Sequence, residues 1–266
     1  MLRVQPWGPV TRVSLSRSLV GRPVFWVSVY VVDGLLIDSG PYRTRCEIVA
    51  VARDQGVEQV YCTHQHEDHT GGNRALYDAL GLTPQAGPAT VASLLAPPPI
   101  HLYRQFSWGQ AQGAPARAVS HIATERYAFA VMPTPGHSPD HTALVEPTQG
   151  WVFGGDLFIH ERAKYLRVDE DLATLIESLR CVAALHPTVL FCGHAGVVED
   201  PAAAIARKLA YWDELRAEIQ RRKASGQSLG AIRDALLGPE GMMTHVSRGH
   251  LSKLNMIRAL DALATP

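Results

Sequence analysis

Between Thr63 and Asn73 the chain reads Thr-His-Gln-His-Glu-Asp-His-Thr-Gly-Gly-Asn, which places His64, His66, Asp68 and His69 almost side by side. Few folds can use such a segment. On an extended or tightly looped backbone, His64 and His66 project to the same side, and Asp68 and His69, at a turn into a helix, project to an adjacent point. Two divalent cations a few ångströms apart are then served by one short stretch. Gly71 and Gly72 are expected to let the backbone turn tightly beside the metals.

The residues around this segment predict its setting. Val10–Leu15, Phe25–Val32 and Leu35–Asp38 alternate like strands, with Asp33-Gly34 as a two-residue hairpin turn. A helix over Cys46–Gln55 and a strand over Gln59–Thr63 lead into the histidines, and a helix over Gly71–Leu80 leaves them. The pattern weakens from Leu82 to Ser120, which reads as an irregular insertion with a short helix near His101–Trp108. Strands are expected at Tyr127–Pro133, Thr142–Glu146, Gly150–Phe153 and Val189–Cys192, and a helix at Ala173–Leu185. Beyond Pro201 the periodicity is helical throughout, in Ala202–Lys223, Leu229–Leu237 and Arg248–Leu263. This predicts a catalytic domain over 1–200 and a C-terminal helical subdomain over 201–266.

A hydrolytic dinuclear site needs donors from other strand ends, and three segments offer them. Thr134-Pro135-Gly136-His137-Ser138 puts a histidine on a Pro/Gly-bounded loop. Phe153-Gly154-Gly155-Asp156 ends a strand on an aspartate, whose two oxygens can bridge two metals. Phe191-Cys192-Gly193-His194 ends a later strand on a histidine.

Taken in this order, the four segments resemble the metallo-β-lactamase-fold hydrolase superfamily, in its glyoxalase II-like and broader metallo-hydrolase branches. The resemblance spans roughly residues 10–200. It implies an α/β fold, a four-layered αβ/βα sandwich with the metals at the sheet edges. It also implies that His64, His66 and His137 hold one metal, that Asp68, His69 and His194 hold the second, and that Asp156 bridges. Asp68 would be the catalytic residue that orients a metal-bridging hydroxide. The expected cofactors are two divalent ions, zinc first, with iron or manganese as alternatives. The expected reaction is hydrolysis of a small carboxylic ester, thioester or lactone. Glyoxalase II is expected to carry a Gly-Cys-Gly-Arg segment after the bridging aspartate. Leu157-Phe158-Ile159-His160-Glu161 stands there instead, which argues against glutathione thioesters. An endoribonuclease or phosphodiesterase on the same metals, and a persulfide-dioxygenase-like iron oxidoreductase, remain as alternatives.

The other candidates are expected to play lesser parts. His141 should support the site or pack, and His160 is a candidate to line a pocket. His101, His121, His186, His245 and His250 read as structural or solvated. Glu67 should point away from the metals, as a supporting or surface residue. Arg162 and Tyr165 are placed at the surface ahead of the substrate. Arg207, Lys208, Arg216, Arg221, Arg222 and Lys223 read as a solvated helix face, interleaved with Asp213, Glu214 and Glu218, ahead of a basic stripe.

Composition sets outer limits. Lys and Arg number 25 against 25 Asp and Glu, so no net charge favours nucleic acid or an anionic membrane. The expected partner is a small-molecule substrate, with nucleic acid disfavoured and a homodimer left open. Four scattered cysteines without a CxxC pair read as free thiols. With no apolar span and no secretion signal visible, the expectation is a cytoplasmic protein.

Overall fold

A computed structural model of the protein describes residues 1–263. The chain opens with β1 (Leu2–Trp7), β2 (Val10–Leu15), a small hairpin of β3 (Ser18–Leu19) and β4 (Arg22–Pro23), then β5 (Val27–Val32) and β6 (Leu35–Ile37). The turn between β5 and β6 is the expected Asp33-Gly34, both residues at positive φ (49° and 77°), as a tight hairpin that follows the strand twist requires. Helix α1 (Arg45–Asp54), strand β7 (Gln59–Cys62) and helices α2 (Glu67–Thr70) and α3 (Asn73–Leu80) follow. The helix expected from Gly71 thus begins at Asn73, and a separate short turn carries Asp68 and His69.

The segment expected to be irregular is woven into the sheet. Within it lie β8 (Gln85–Ala86), α4 (Val91–Leu95), α5 (Leu102–Ser107) and β9 (Arg117–Ala118). Strands β7, β8 and β9 pair in parallel and complete a seven-stranded sheet of order β1-β2-β5-β6-β7-β8-β9. Two-residue strands leave no alternation to read, which is why the sequence showed only weakened pattern here.

A second sheet, of order β10-β11-β12-β13-β15-β16, comprises β10 (His121–Ala123), β11 (Ala128–Pro133), β12 (Thr142–Glu146), β13 (Trp151–Gly155), β15 (Val189–Cys192) and β16 (Gly196–Val198). Strand β14 (Leu166–Arg167) and helix α6 (Leu172–Ala183) lie between β13 and β15 in the chain. The tail contains α7 (Pro201–Ala224), α8 (Leu229–Leu237), α9 (Met242–Val246), β17 (Leu251–Ser252) and α10 (Lys253–Ala262). Where one helix was expected from Arg248, a strand precedes α10 and pairs antiparallel with β14. Asp200 caps α7 by accepting the Ala203 N–H, with Pro201 in the first turn.

The period-2 alternation of β5 sorts its residues between two cores. Tyr30 and Val32 face inward with Tyr61, Phe129, Phe153 and Phe191, which fill the space between the sheets. Val27, Val29 and Val31 face outward under Ile48, Val51 and Leu76 of α1 and α3. On the far side, Val152 and Leu190 of the second sheet pack with Leu179 of α6 and with Ile205, Trp212, Met256 and Ile257 of the tail. The layers are therefore helix, sheet, sheet, helix, and the tail shares the outer core of the second sheet.

Candidate metal centre

The parallel pairs β6–β7 and β13–β15, one in each sheet, end at the same edge of the sandwich, as does β11. Each donor singled out in the sequence lies just past one of these ends. His64, His66, Asp68 and His69 follow β7, His137 follows β11, Asp156 follows β13 and His194 follows β15. All seven converge, in two groups whose candidate donor atoms lie within 4.8 Å of one another: His64, His66 and His137, and Asp68, His69, Asp156 and His194.

In the first group, His64 Nε2 and His137 Nε2 lie 2.8 and 3.1 Å from His66 Nδ1. Burial pushes the pKa values of His64 and His66 well below 6.5, helped by neighbouring histidines and, for His66, by Arg167 and Arg104. Neutral imidazoles keep the lone pairs that a metal needs. In the second group, Asp156 Oδ1 is 3.2 Å from His69 Nε2, and Asp68 Oδ2 is 3.2 Å from His194 Nε2. Asp156 also reaches the first group, its Oδ2 standing 3.3 Å from His137 Nε2 and 3.4 Å from His194 Nε2. Burial works against the charged form of His194, but the carboxylates of Asp156 and Asp68 outweigh it and raise its pKa to about 10.

The far ring nitrogens are held as metal-binding histidines require. His69 Nδ1 lies 2.7 Å from Asp38 Oδ2, His137 Nδ1 2.7 Å from Glu170 Oε1, and His194 Nδ1 donates to the Trp26 carbonyl at 2.9 Å. His64 Nδ1 lies 3.0 Å from Thr63 Oγ1. Asp38 and Glu170 were not found in the sequence. Asp38 ends a strand before Ser39-Gly40, a faint signal, whereas Glu170 lies in a loop with no local pattern.

The donor set fits divalent cations. His69 Nε2 and Asp156 Oδ1, which face each other at 3.2 Å, and Asp68 Oδ1 are buried and make no aligned hydrogen bond, although buried polar atoms are nearly always satisfied. Five imidazoles with two carboxylates suit zinc-like ions. Arg167 Nη1, which is not a candidate donor, lies 3.3 Å from His137 Nε2 and would have to yield that nitrogen to a cation.

The neighbours of these donors fill in their surroundings. Glu67 is buried, because its Oε1 accepts Arg104 Nε at 2.6 Å, and Arg104 Nη2 lies 3.7 Å from Asp68 Oδ1. His141 uses both ring nitrogens, toward Thr134 Oγ1 at 2.8 Å and the Asp156 N–H at 3.2 Å, and so positions the aspartate's backbone. Gly71 and Gly72 have ordinary helical φ of −64° and −84°. Their lack of a side chain lets them press against the backbone of Tyr42 and Ser39. Gly193 has a matching role unseen in the sequence, since a Cβ there would lie 2.6 Å from His69 Cε1 and 2.7 Å from Asp156 Oδ1. Lys208 belongs to no surface stripe, being 2% exposed.

A cavity of about 400 Å³ opens onto the donors, with Asp68, His137, Asp156 and His194 in its wall. Phe25, Trp108 and Leu157 give it an apolar lining, and the tail adds Trp212, Met243 and Met256. Tyr165, expected at the surface, and His160 line it too; Arg162 does not.

The family model of the metallo-beta-lactamase superfamily matches residues 23–194. An atrochrysone carboxyl ACP thioesterase of Aspergillus fumigatus is 30% identical over 175 residues, covering 63% of this chain and 49% of the relative. A beta-lactamase-like protein 2 homolog of Drosophila melanogaster is 26% identical over 189 residues, covering 64% and 58%. The chain spans about half the length of the curated relatives it matches. Among solved structures, a metallo-beta-lactamase family protein from Thermus thermophilus has a similar fold. It superposes with a TM-score of 0.66 at 17% identity over 95% of this chain and 91% of its own.

Proposed function

The chain belongs to the metallo-beta-lactamase superfamily, and on that premise we propose that it is a metal-dependent hydrolase of a carboxylic thioester, ester or lactone. In this reading His64, His66 and His137 hold one cation, Asp68, His69 and His194 hold a second, and Asp156 spans the two. The carrying observation is the reach of Asp156, whose oxygens lie 3.2–3.4 Å from His69, His137 and His194. Zinc is the first choice for both positions.

Bound cations would supply a water acidic enough to attack near neutral pH and a positive field for the charge that develops on the carbonyl oxygen. The chain's own residues do the rest. Asp68 lines the cavity with Oδ1 unpartnered, placed to accept a hydrogen bond from the attacking water. Arg104, itself held by Glu67, lies 3.7 Å from that oxygen as a counter-charge. The apolar walls exclude bulk water and orient the acyl group.

A thioester is the favoured bond because the Aspergillus relative is named a thioesterase. The nuclease alternative is less favoured because several exposed cations of the tail are held in ion pairs. Arg207 pairs with Glu161, Arg221 and Arg222 with Glu218, and Lys223 with Asp261. No helix among the described residues is long and apolar enough to cross a membrane.

Elemental analysis combined with a panel of thioesters, esters, lactones and bis-phosphodiesters tests this reading. The expected result is about two metal equivalents and hydrolysis of a carboxylic substrate that His66→Ala abolishes. Less than one equivalent, with His66→Ala as active as wild type, would sink it.

A further inference from the structure

The tail places one cation in the cavity that the proposed hydrolysis does not use. Lys208, on α7, is buried with its Nζ 4.4 Å from the ring centre of Trp212 and 5.2 Å from that of Phe158. Among the described residues its one hydrogen bond goes to the main-chain oxygen of His160 at 2.7 Å, which leaves two ammonium hydrogens unassigned. Among the described residues no carboxylate comes within ion-pair distance of it. The other buried cations of the cavity wall are committed, Arg104 to Glu67 and Arg167 to Asp169.

We propose that the cavity takes a hydrophobic substrate bearing a second, carboxylate group, and that the Lys208 ammonium anchors that carboxylate. The inference rests on the hydrolase reading for the word substrate, but the anchor is a binding site in its own right. An ammonium away from water and without a counter-ion is costly, and removing its cost needs an anion at short range. Trp212, one helical turn beyond Lys208, and Met256 continue the apolar wall around it. The scissile carbonyl lies at Asp68, Asp156 and His194, the apolar body along Leu157, Trp212 and Met256, and the carboxylate at Lys208. A site built to pair a buried charge discriminates strongly against the analogue that lacks it.

Two amides that contain no ester or thioester bond separate the possibilities: adipic acid monoanilide, which carries a carboxylate, and hexananilide, its neutral counterpart. Calorimetric titration of zinc-loaded wild type should show the monoanilide binding at least tenfold more tightly. In Lys208→Met and Lys208→Gln that preference should vanish while hexananilide binds as to wild type, which also reports an intact fold. Binding of neither amide to wild type, or equal binding of both, overturns the anchor. So does a carboxylate preference that persists in both variants, because the metals, the arginines or Lys164 at the cavity wall would then be its source. Esterase and thioesterase assays on the same preparations keep the two readings apart. Tight monoanilide binding lost in the variants, with no hydrolysis of any substrate, supports the anchor and defeats only the hydrolase.

Discussion

Asp38 Oδ2 lies 2.7 Å from His69 Nδ1, and the same carboxylate accepts the Thr63 N–H at 2.8 Å. One buried aspartate at the end of β6 thereby sets the tautomer of a donor histidine and pins the start of the segment that carries four of the seven donors. Asp38→Ala should weaken metal binding by roughly 10–100-fold, the usual effect of removing such a partner. Competition against a chromogenic chelator measures it. An affinity equal to wild type would mean that the contact is incidental.

Glu67 and Arg104 form an ion pair of 2.6 Å with both side chains nearly inaccessible. Removing one charge strands the other in the interior. Glu67→Ala should therefore cost about 3–5 kcal/mol of stability, less whatever compensation Asp68 gives Arg104 from 3.7 Å. Urea denaturation should show Glu67→Gln/Arg104→Met recovering much of that loss. A single-variant loss below about 1 kcal/mol, as for an exposed pair, would show that the pair is not held as described.

Gly193 lets the end of β15 approach the second donor group. In Gly193→Ala the new Cβ must displace His69 or Asp156. We expect metal content to fall from two equivalents toward one with the far-ultraviolet circular dichroism unchanged. Retention of both equivalents would refute the crowding.

Burial lowers the Lys208 pKa from 10.5 to about 8 against the opposing pull of Glu170, Cys192 and Glu161. The unfolded chain keeps its proton up to the higher value. Between pH 8 and 10.5 the unfolded state therefore binds more protons, and this residue makes stability rise with pH. The penalty is fully present below pH 8 and relieved above 10.5, a span worth about 3 kcal/mol. The stability difference between Lys208→Met and wild type should accordingly favour the variant near pH 7.5 and shrink toward pH 10.5. A difference independent of pH across that window would contradict the assignment.

The donor residues were legible because chemistry of this kind is local. His64, His66, Asp68 and His69 declare themselves by spacing, whereas His137, Asp156 and His194 stand out only through motifs at strand ends that resemble the superfamily's. Long strands and helices were legible for a similar reason, since β2, β12, β15 and α8 carry enough alternation or helical period to set their own limits. The short strands β8, β9 and β17 were not, because two residues have no period and exist only through their partners.

The sequence by itself thus determined which side chains are the candidate metal donors and that strands must end beside them. Tertiary structure alone decided what orients those side chains and what surrounds them. Asp38, Glu170 and the Trp26 carbonyl meet their histidines only when distant strand ends and loops share one edge. Glu67, read as supporting or surface, and Lys208, read as solvated, are buried because α5 closes over the first and the loop after β13 over the second. Burial is a property of packing between segments, and no local pattern of charge encodes it.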